Sequence, residues 1–223
     1  THAGVNKSAD GALHVRGGRS NEVGYYIGGV SMSNPFFTNS LAVGLSNKAL
    51  EEMKLVSGAF NAEYGNAMSG VVNVKVKDGG KDYQGSLSYY AGDYNSNAED
   101  IFPNISDQSF TANTTLDAFV SGPVIPGLGD KLTFNISVRR NQSEGYLNGI
   151  REHSPGDFAY FPPSGDWYIQ MSGDSSYVPM NPSESNNFLS KFTWRLSPRI
   201  KISTQSIMSQ SQSKSYSHAY KYN

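Results

Sequence analysis

The chain has 223 residues, and its 18 Lys and Arg nearly balance 19 Asp and Glu, so a formal net charge of −1 gives no electrostatic reason to expect nucleic acid as a partner. The absence of Cys excludes a disulfide scaffold, and no run approaches the roughly 18 apolar residues of a transmembrane helix. With 37% hydrophobic residues and 23 Gly, a secreted β protein and a transmembrane β-barrel with a polar lumen both remain open.

Residues 1–80 predict a small mixed α/β unit, which ends at a charged, Gly-rich boundary over 78–82. Ser46 is a good N-cap residue and helix formers follow it, so the sequence predicts one short helix over 46–52. Apolar or alternating runs predict strands that end at Val15 or lie at 25–30, 53–58 and 71–77. So little helix makes a thin core, which indicates a unit that packs inside something larger.

Beyond residue 81, apolar side chains alternate with polar ones almost throughout, as in half-exposed β-strands. Phe119 is an exception, because it lies on the polar side of its strand. In the clearest case, Leu132, Phe134, Ile136 and Val138 alternate with Thr133, Asn135, Ser137 and Arg139. The pattern predicts strands of about ten residues, which suit a tilted membrane-spanning strand, at 83–91, 115–121, 132–139, 188–196 and 200–208.

The connections between these five predicted strands alternate in length. Long segments follow the first and third strands, at 93–110 and 141–186, whereas the second and fourth strands are followed by short Gly- and Pro-containing turns. Long extracellular loops and short periplasmic turns are typical of an outer-membrane barrel. A soluble sandwich has no reason to sort its loop lengths by side, so the alternation favours the membrane interpretation.

Four motifs occur in order within the first 80 residues: Val15-Arg16-Gly17-Gly18, Tyr26-Ile27-Gly28-Gly29-Val30, Met53-Lys54-Leu55-Val56-Ser57-Gly58, and a Glu63-Tyr64-Gly65 turn that leads to Gly70-Val71-Val72-Asn73-Val74. In order and spacing they resemble the plug domain of TonB-dependent outer-membrane receptors. The Ser121-Gly122-Pro123 turn also resembles the first barrel hairpins of that family. The resemblance implies a small α/β plug domain, truncated at its N-terminus, over residues 1–80. Antiparallel transmembrane β-barrel strands then follow over 81–223, about five strands of a larger barrel.

Three positions depart from the family pattern, since Gly28 replaces an Asp, Lys54 an acidic residue and Ser57 an Arg. The family resemblance implies that plug arginines pair with barrel glutamates, and only Arg16 is carried over as such a plug–barrel contact. The remaining motif residues are expected to be structural; they are Gly17, Gly29, Gly58, Glu63, Tyr64, Gly65 and Gly70.

Two aromatic segments are candidate substrate-binding surfaces. One contains Phe36 and Phe37, and the other is a long loop with Tyr160, Phe161, Trp167 and Tyr168. Aromatic rings in a polar loop offer rigid stacking area for sugars, peptides or planar chelates. The alternatives are a loop that packs on itself and an aromatic girdle at the membrane surface.

Catalysis and metal binding find little support. The four histidines, His2, His14, His153 and His218, are scattered without a metal-binding spacing. The chain also lacks a Gly-x-Ser-x-Gly elbow and a phosphate-binding Walker loop. We therefore expect neither an enzyme nor a cofactor or metal site.

The resemblance implies TonB-dependent active uptake of a nutrient across the Gram-negative outer membrane, with the plug within the barrel lumen as the gate. The nutrient could be a siderophore, cobalamin, a glycan or a peptide. The expected partners are outer-membrane lipid, TonB through a segment upstream of Thr1, and the remainder of the barrel. A surface lipoprotein is a further candidate, and nucleic acid is not expected.

Two other functions stay open from the sequence. One is a non-transporting, receptor-like outer-membrane scaffold for adhesion or for an envelope complex. The other is a secreted β-sandwich, in which protein instead of lipid would cover the apolar strand faces. Five strands are far fewer than the roughly 22 of a complete receptor barrel, and lipid tolerates no unpaired strand edge. We therefore expect this chain to be part of a longer one.

Overall fold

The computed structural model describes residues 5–7, 13–32, 44–57, 64–65, 67–127, 129–163 and 165–216. Their regular structure is almost entirely β-strand, with only two short 3-10 helices, Ser20–Glu22 and Asn47–Ala49. The strands are β1 (Val5–Lys7), β2 (Leu13–Val15), β3 (Val23–Ile27), β4 (Val30–Ser31), β5 (Leu50–Ser57), β6 (Gly70–Val76), β7 (Gln84–Gly92), β8 (Asn113–Pro123), β9 (Leu132–Ser143), β10 (Asn148–Ile150), β11 (Ala159–Tyr160), β12 (Tyr168–Ile169), β13 (Tyr177–Pro179), β14 (Ser183–Ser197) and β15 (Ile200–Ser213). Among these described residues, no helix is long and apolar enough to cross a membrane.

The chain forms two compact units. Unit 1 comprises residues 1–89, 116–140 and 185–210, and unit 2 comprises 90–115, 141–184 and 211–223. The five longest strands, β7, β8, β9, β14 and β15, each contribute residues to both units.

Four strands of unit 1 form the small sheet, in the order β4-β3-β6-β5. β3 and β6 pair in parallel, from Val23↔Gly70 to Ile27↔Val74, while β3–β4 and β5–β6 are antiparallel. The alternation predicted for 71–77 is confirmed, because Val74 is fully buried and the next residue, Lys75, is exposed.

The helix predicted over 46–52 is wrong. Ser46 does act as an N-cap, since its side-chain oxygen accepts a hydrogen bond from the Lys48 amide at 3.4 Å, but the helix is the single 3-10 turn Asn47–Ala49. The chain then enters β5, which pairs with β6 from Leu50↔Val76 to Ser57↔Gly70. Tertiary strand pairing overrides the local helix propensity of this segment.

The five longest strands form the large sheet, in the order β15-β14-β9-β8-β7. Each lies beside its predecessor among the five, and the short turns after β8 and β14 make those pairs antiparallel hairpins. The five predicted strands are confirmed, with observed lengths from 9 residues in β7 to 15 in β14.

Burial in the large sheet has the opposite sense to burial in the small sheet. Its most deeply buried side chains are polar, and include Thr133, Asn135 and Thr193 at 0% exposure. Many large apolar side chains of the same strands are exposed, with Leu87 at 74% and Trp194 at 51%, although Leu189 is buried at 1%. Water-soluble proteins rarely bury polar side chains while large apolar ones stay outside.

In unit 2, the long connection between β9 and β14 contains two short antiparallel pairs. β10 pairs with β13 from Asn148↔Pro179 to Ile150↔Tyr177. Between β10 and β13 in the sequence, β11 and β12 form a second antiparallel pair, in which Tyr160 faces Tyr168. This connection is therefore an ordered pair of nested hairpins.

Candidate functional site

The small sheet packs on the polar side of the large sheet within unit 1, and this interface is the candidate functional site. Its centre is apolar: buried residues of the small sheet, such as Ile27 and Val74, form one cluster with Leu189 of β14. Phe119 of β8 and Ile207 of β15 pack against that cluster. Phe119 thus departs from the alternation of its strand because its ring contacts the core of the small sheet.

Around this apolar centre, one carboxylate gathers three cations. Lys191 Nζ lies 2.8 Å from Asp78 Oδ1, while Arg195 Nη2 and Lys201 Nζ lie 3.2 Å and 3.1 Å from Asp78 Oδ2. Thr193 Oγ1 donates a hydrogen bond to Asp78 Oδ1 at 3.1 Å. Asp78 follows β6 closely, so this Asp78 cluster ties the end of the small sheet to β14 and β15.

The cluster holds Asp78 in its ionised form. Partial burial disfavours the charge, but hydrogen bonds and charge attraction from Lys191 and Lys201 outweigh it and lower the pKa of Asp78 to about 2. The Lys191 side chain is only 11% exposed and also donates to the Val76 carbonyl oxygen at 2.8 Å. With three cations facing one carboxylate, the cluster is a charge-assisted network and not an isolated surface pair.

Buried polar side chains of the large sheet form direct hydrogen bonds with residues that lie next to the strands of the small sheet. Asn135 Nδ2 donates to the carbonyl oxygens of Lys77 and Ala49, at 2.9 Å and 3.4 Å. Asp117 is 8% exposed and its Oδ1 accepts a 2.8 Å hydrogen bond from Ser46 Oγ. These side chains therefore gain partners from the small sheet that offset the cost of their burial.

Gly79 marks a very close approach of the two backbones. A Cβ atom placed on Gly79 would lie 2.3 Å from the Phe134 carbonyl oxygen and 2.7 Å from its amide nitrogen. At the adjacent Gly80, the nearest atom would be the Asp82 carbonyl oxygen at 3.6 Å, an ordinary contact distance. The large sheet therefore requires glycine at 79 but not at 80.

Arg16, predicted as a plug–barrel contact, lies in the turn after β2. Its side chain is exposed, its φ is 51°, and it forms no ion pair with any described acidic residue. Its role stays a prediction. Gly17 and Gly29 occupy turns with φ of 78° and 87°, conformations that glycine adopts without strain.

The Tyr64–Gly65 motif contacts the small sheet. Tyr26 OH donates a 2.8 Å hydrogen bond to the Gly65 carbonyl oxygen, and the Tyr26 and Tyr64 rings pack edge to face at 5.1 Å. Gly70 begins β6, and a Cβ there would lie 3.1 Å from Val15. The remaining predicted residues, Phe36, Phe37, Gly58 and Glu63, lie outside the described residues.

In unit 2, the structure brings the predicted loop aromatics together in two groups. The Tyr160 and Tyr168 rings are 5.2 Å apart across β11 and β12, and Phe158 stacks beside Tyr160 at 6.1 Å. Phe161 and Trp167 form a second pair at 5.3 Å. All five rings are about half exposed or more, from 47% to 65%. They contact one another and still present area to a ligand, so their substrate role stays a prediction.

Sequence reasoning did not identify the Asp78 cluster. Asp78 lies in the Gly-rich boundary, and its hydrogen-bond partners are more than a hundred residues away in the chain. The available signal was the polar side of β14, where Lys191 and Arg195 point the same way as Thr193 and require an opposite charge.

Among the described residues, no group of three or more His, Cys, Asp or Glu side chains is placed so that it could hold a metal ion. The two described histidines engage the backbone instead. His14 Nδ1 lies 3.0 Å from the Gly18 carbonyl oxygen, and His153 Nδ1 lies 2.8 Å from that of Gln170.

No family model matches the chain. In an alignment 155 residues long, it is 27% identical to the TonB-dependent transporter Oar of Myxococcus xanthus, and the alignment covers 65% of this chain and 14% of that protein.

Three solved structures are similar in fold. They are the ferric enterobactin receptor PfeA of Pseudomonas aeruginosa (TM-score 0.60, 14% identity), the siderophore receptor PirA of Acinetobacter baumannii (0.56, 16%) and the outer membrane transporter YddB of Escherichia coli (0.54, 18%). The alignments cover 94%, 90% and 86% of this chain, but 29%, 25% and 25% of those chains. The chain thus spans less than a third of the length of each relative, and these relatives are transporters and receptors, not enzymes.

Proposed function

We propose that this chain contains the gate and part of the wall of a nutrient uptake receptor. Its motifs resemble those of TonB-dependent outer-membrane receptors, and these relatives confirm the resemblance. Residues 1–80 would be the plug, and residues 81–223 would contribute the opening strands of the barrel. Because the chain covers only part of its relatives, the transport activity, the substrate and the partners of the whole protein all belong to this proposal.

The reversed burial of the large sheet is the observation that carries the proposal. In water, its exposed apolar side chains, such as Leu87 and Trp194, would cost about 25 cal/mol for each Å² left uncovered. In a bilayer the same side chains face lipid without that cost, and strand pairing satisfies the backbone. The opposite, polar side carries the small sheet, as the inner wall of a plugged barrel should.

The edges of the large sheet are consistent with a larger barrel. Among the described strands, β7 and β15 each have one neighbour in this sheet. A membrane-spanning sheet must close so that no strand edge faces lipid. The remainder of the barrel would therefore pair with β7 and β15, and outer-membrane lipid would surround the whole.

Gating in this proposal depends on how the plug is held. Apolar packing on Leu189 and Phe119, together with the Asp78 cluster, keeps the plug against the wall without an energy source of its own. Ligand would bind from outside, at the long loops. TonB, acting through a segment upstream of this chain, would then supply the energy that displaces the plug. A surface lipoprotein could assist capture at the loops.

Uptake by cells that express the full-length protein, with and without functional TonB, tests the proposal. Ferric siderophores, cobalamin, oligosaccharides and oligopeptides would be supplied one at a time as the limiting nutrient. We expect growth on one class only when TonB is present, and heat-modifiable migration of the protein from outer-membrane fractions. Outer-membrane location without TonB-dependent uptake would support the scaffold alternative. Solubility without detergent would support the β-sandwich.

A further inference from the structure

The two long connections of unit 2 are strongly acidic. Segments 90–115 and 141–184 together contain ten Asp and Glu but only one Lys or Arg, which is Arg151. Because the whole chain has a net charge of −1, the rest of it is net positive. Arg151 is already paired with Asp174, at 3.0 Å between Nη1 and Oδ2. Ten acidic residues against one Arg give these two segments a formal charge of −9, and they therefore produce a negative potential around them.

Within this acidic region, β11, β12 and the described residues beside them, 158–163 and 165–169, form the aromatic hairpin. Phe158, Tyr160 and Tyr168 lie on one side of it, with ring centroids 5.2 to 6.1 Å apart. Phe161 and Trp167 pair nearer its tip. The three rings on the first side are 57%, 50% and 47% exposed, so they present a continuous aromatic surface.

The base of the aromatic hairpin is held by Asp157. Hydrogen bonds from the Ser172 side chain and from the Ser172 and Ser154 amides, the amides at 2.9 Å and 3.0 Å, lower the pKa of Asp157 to about 2. The Gln170 amide closes the next rung by donating to the Phe158 carbonyl oxygen at 3.1 Å. A surface ordered in advance loses less conformational entropy when a ligand binds.

Two carboxylates lie close to the rings in the sequence. Asp166 precedes Trp167, and Glu152 lies just before the hairpin; neither forms an ion pair with any described cation. The face of an aromatic ring and a carboxylate both attract cations, and a Lys or Arg side chain can use both at once. An anionic chelate would instead be repelled by the surrounding negative charge.

We infer that the aromatic hairpin is an outer ligand contact and that its ligand is an oligopeptide bearing Lys or Arg side chains. This inference rests on the proposed function, which places these long loops outside the cell. Cationic side chains would stack over Tyr160 and Tyr168, while Asp166 and Glu152 supply the charge attraction. The acidic surroundings would also draw such a ligand toward the loops from solution.

Binding to the purified full-length receptor in detergent tests the inference with four probes. They are a lysine-rich oligopeptide, the same peptide with its lysines acetylated, a neutral linear oligosaccharide and an anionic ferric catecholate. Calorimetry should show binding of the lysine-rich peptide, weaker by about tenfold or more after acetylation, and weaker with added salt because screening shortens the reach of the charges.

Matched variants locate that binding. Tyr160→Ala with Tyr168→Ala should weaken peptide binding about tenfold, whereas Tyr160→Phe with Tyr168→Phe keeps both ring faces and should retain it. Glu152→Gln with Asp166→Asn should weaken binding several-fold and reduce its salt dependence. Phe110→Ala removes a 77% exposed ring elsewhere in unit 2 and serves as the control.

Tighter binding of the catecholate, or equal binding of the acetylated peptide or the oligosaccharide, would overturn the assignment of a cationic ligand. Unchanged binding after loss of both tyrosine rings would overturn the assignment to the hairpin, and so would failure to bind any of the probes. Failure of TonB-dependent uptake by a receptor that still binds the lysine-rich peptide would instead contradict the proposed function, so the two failures are distinguishable.

Discussion

The two sheets of unit 1 sort their side chains in opposite directions. In the small sheet, Val74 is fully buried and its neighbour Lys75 is exposed; in the large sheet, Thr193 is fully buried and its neighbour Trp194 is 51% exposed. Several buried polar side chains of the large sheet find hydrogen-bond partners beside the small sheet, as Thr193 does at Asp78 and Asn135 at Lys77. Alternation therefore specifies two faces of a strand, while the surroundings decide which face is buried.

Introducing a charge into the small sheet should have the largest effect. Val74→Asp places a carboxylate in a fully buried apolar cluster without a cation, and should cost about 4 kcal/mol or prevent the plug from folding. Protease susceptibility of residues 1–80 in the full-length protein measures this. Lys75→Ala is the control on the exposed face and should leave the protease protection nearly unchanged. Similar protection in both variants would contradict the assigned core.

The apolar side of the large sheet should reject charge for a different reason. Val138→Arg should cost about 2 to 4 kcal/mol if that side faces the bilayer core, because the guanidinium would enter lipid. Val30→Arg, at a 64% exposed valine of the small sheet, should stay within about 0.5 kcal/mol. Urea unfolding of the full-length protein from lipid vesicles compares the two. Equal, small effects would mean that Val138 faces water.

The contact between the sheets can be disturbed by one methyl group. Gly79→Ala forces a Cβ against the Phe134 backbone, and we expect a loss of about 1 to 3 kcal/mol from overpacking. Gly80→Ala is the matched neighbour, with room for the same methyl, and should be nearly neutral. Thermal unfolding of the two variants in detergent gives the difference, and the prediction fails if Gly80→Ala is the more damaging.

The Asp78 cluster should contribute less and should depend on pH. Asp78→Asn removes the shared carboxylate and should cost about 1 to 2 kcal/mol after allowance for screening by water. The pKa of Asp78 is lowered from 3.8 to about 2, so its contribution is present above pH 4 and is lost as the pH falls from about 4 to about 2. Unfolding measured between pH 2 and pH 7 should show this slope in the parent and a weaker one in the variant.

Asp130 is the matched control for that experiment. It lies 3.9 Å from Arg195 but is 67% exposed, so Asp130→Asn should change stability by less than about 0.5 kcal/mol. A larger effect at Asp130 than at Asp78 would show that the cluster does not hold the sheets together.

The long strands were predictable because a period of two is a local property, visible in 132–139 without knowledge of the fold. The start of β5 at Leu50 was not predictable, and a helix was predicted over 46–52 instead, because β5 forms only by pairing with β6, which is distant in the sequence. Phe119 was visible as an exception, but its reason lies in another sheet. The Asp78 cluster depends on contacts that only the folded chain brings together, so no motif announces it.

The parallel pairing of β3 with β6 has a mechanical consequence. Their five paired positions, from Val23↔Gly70 to Ile27↔Val74, hold the two strands side by side in the same direction. If traction enters from the N-terminal side of β3 and Asp78 restrains the C-terminal side of β6, the two strands are pulled toward opposite ends. The hydrogen bonds between them then bear the load in shear, sharing it along the whole ladder instead of opening one by one. A strand pair loaded in this way withstands small, brief forces and separates only under a sustained force.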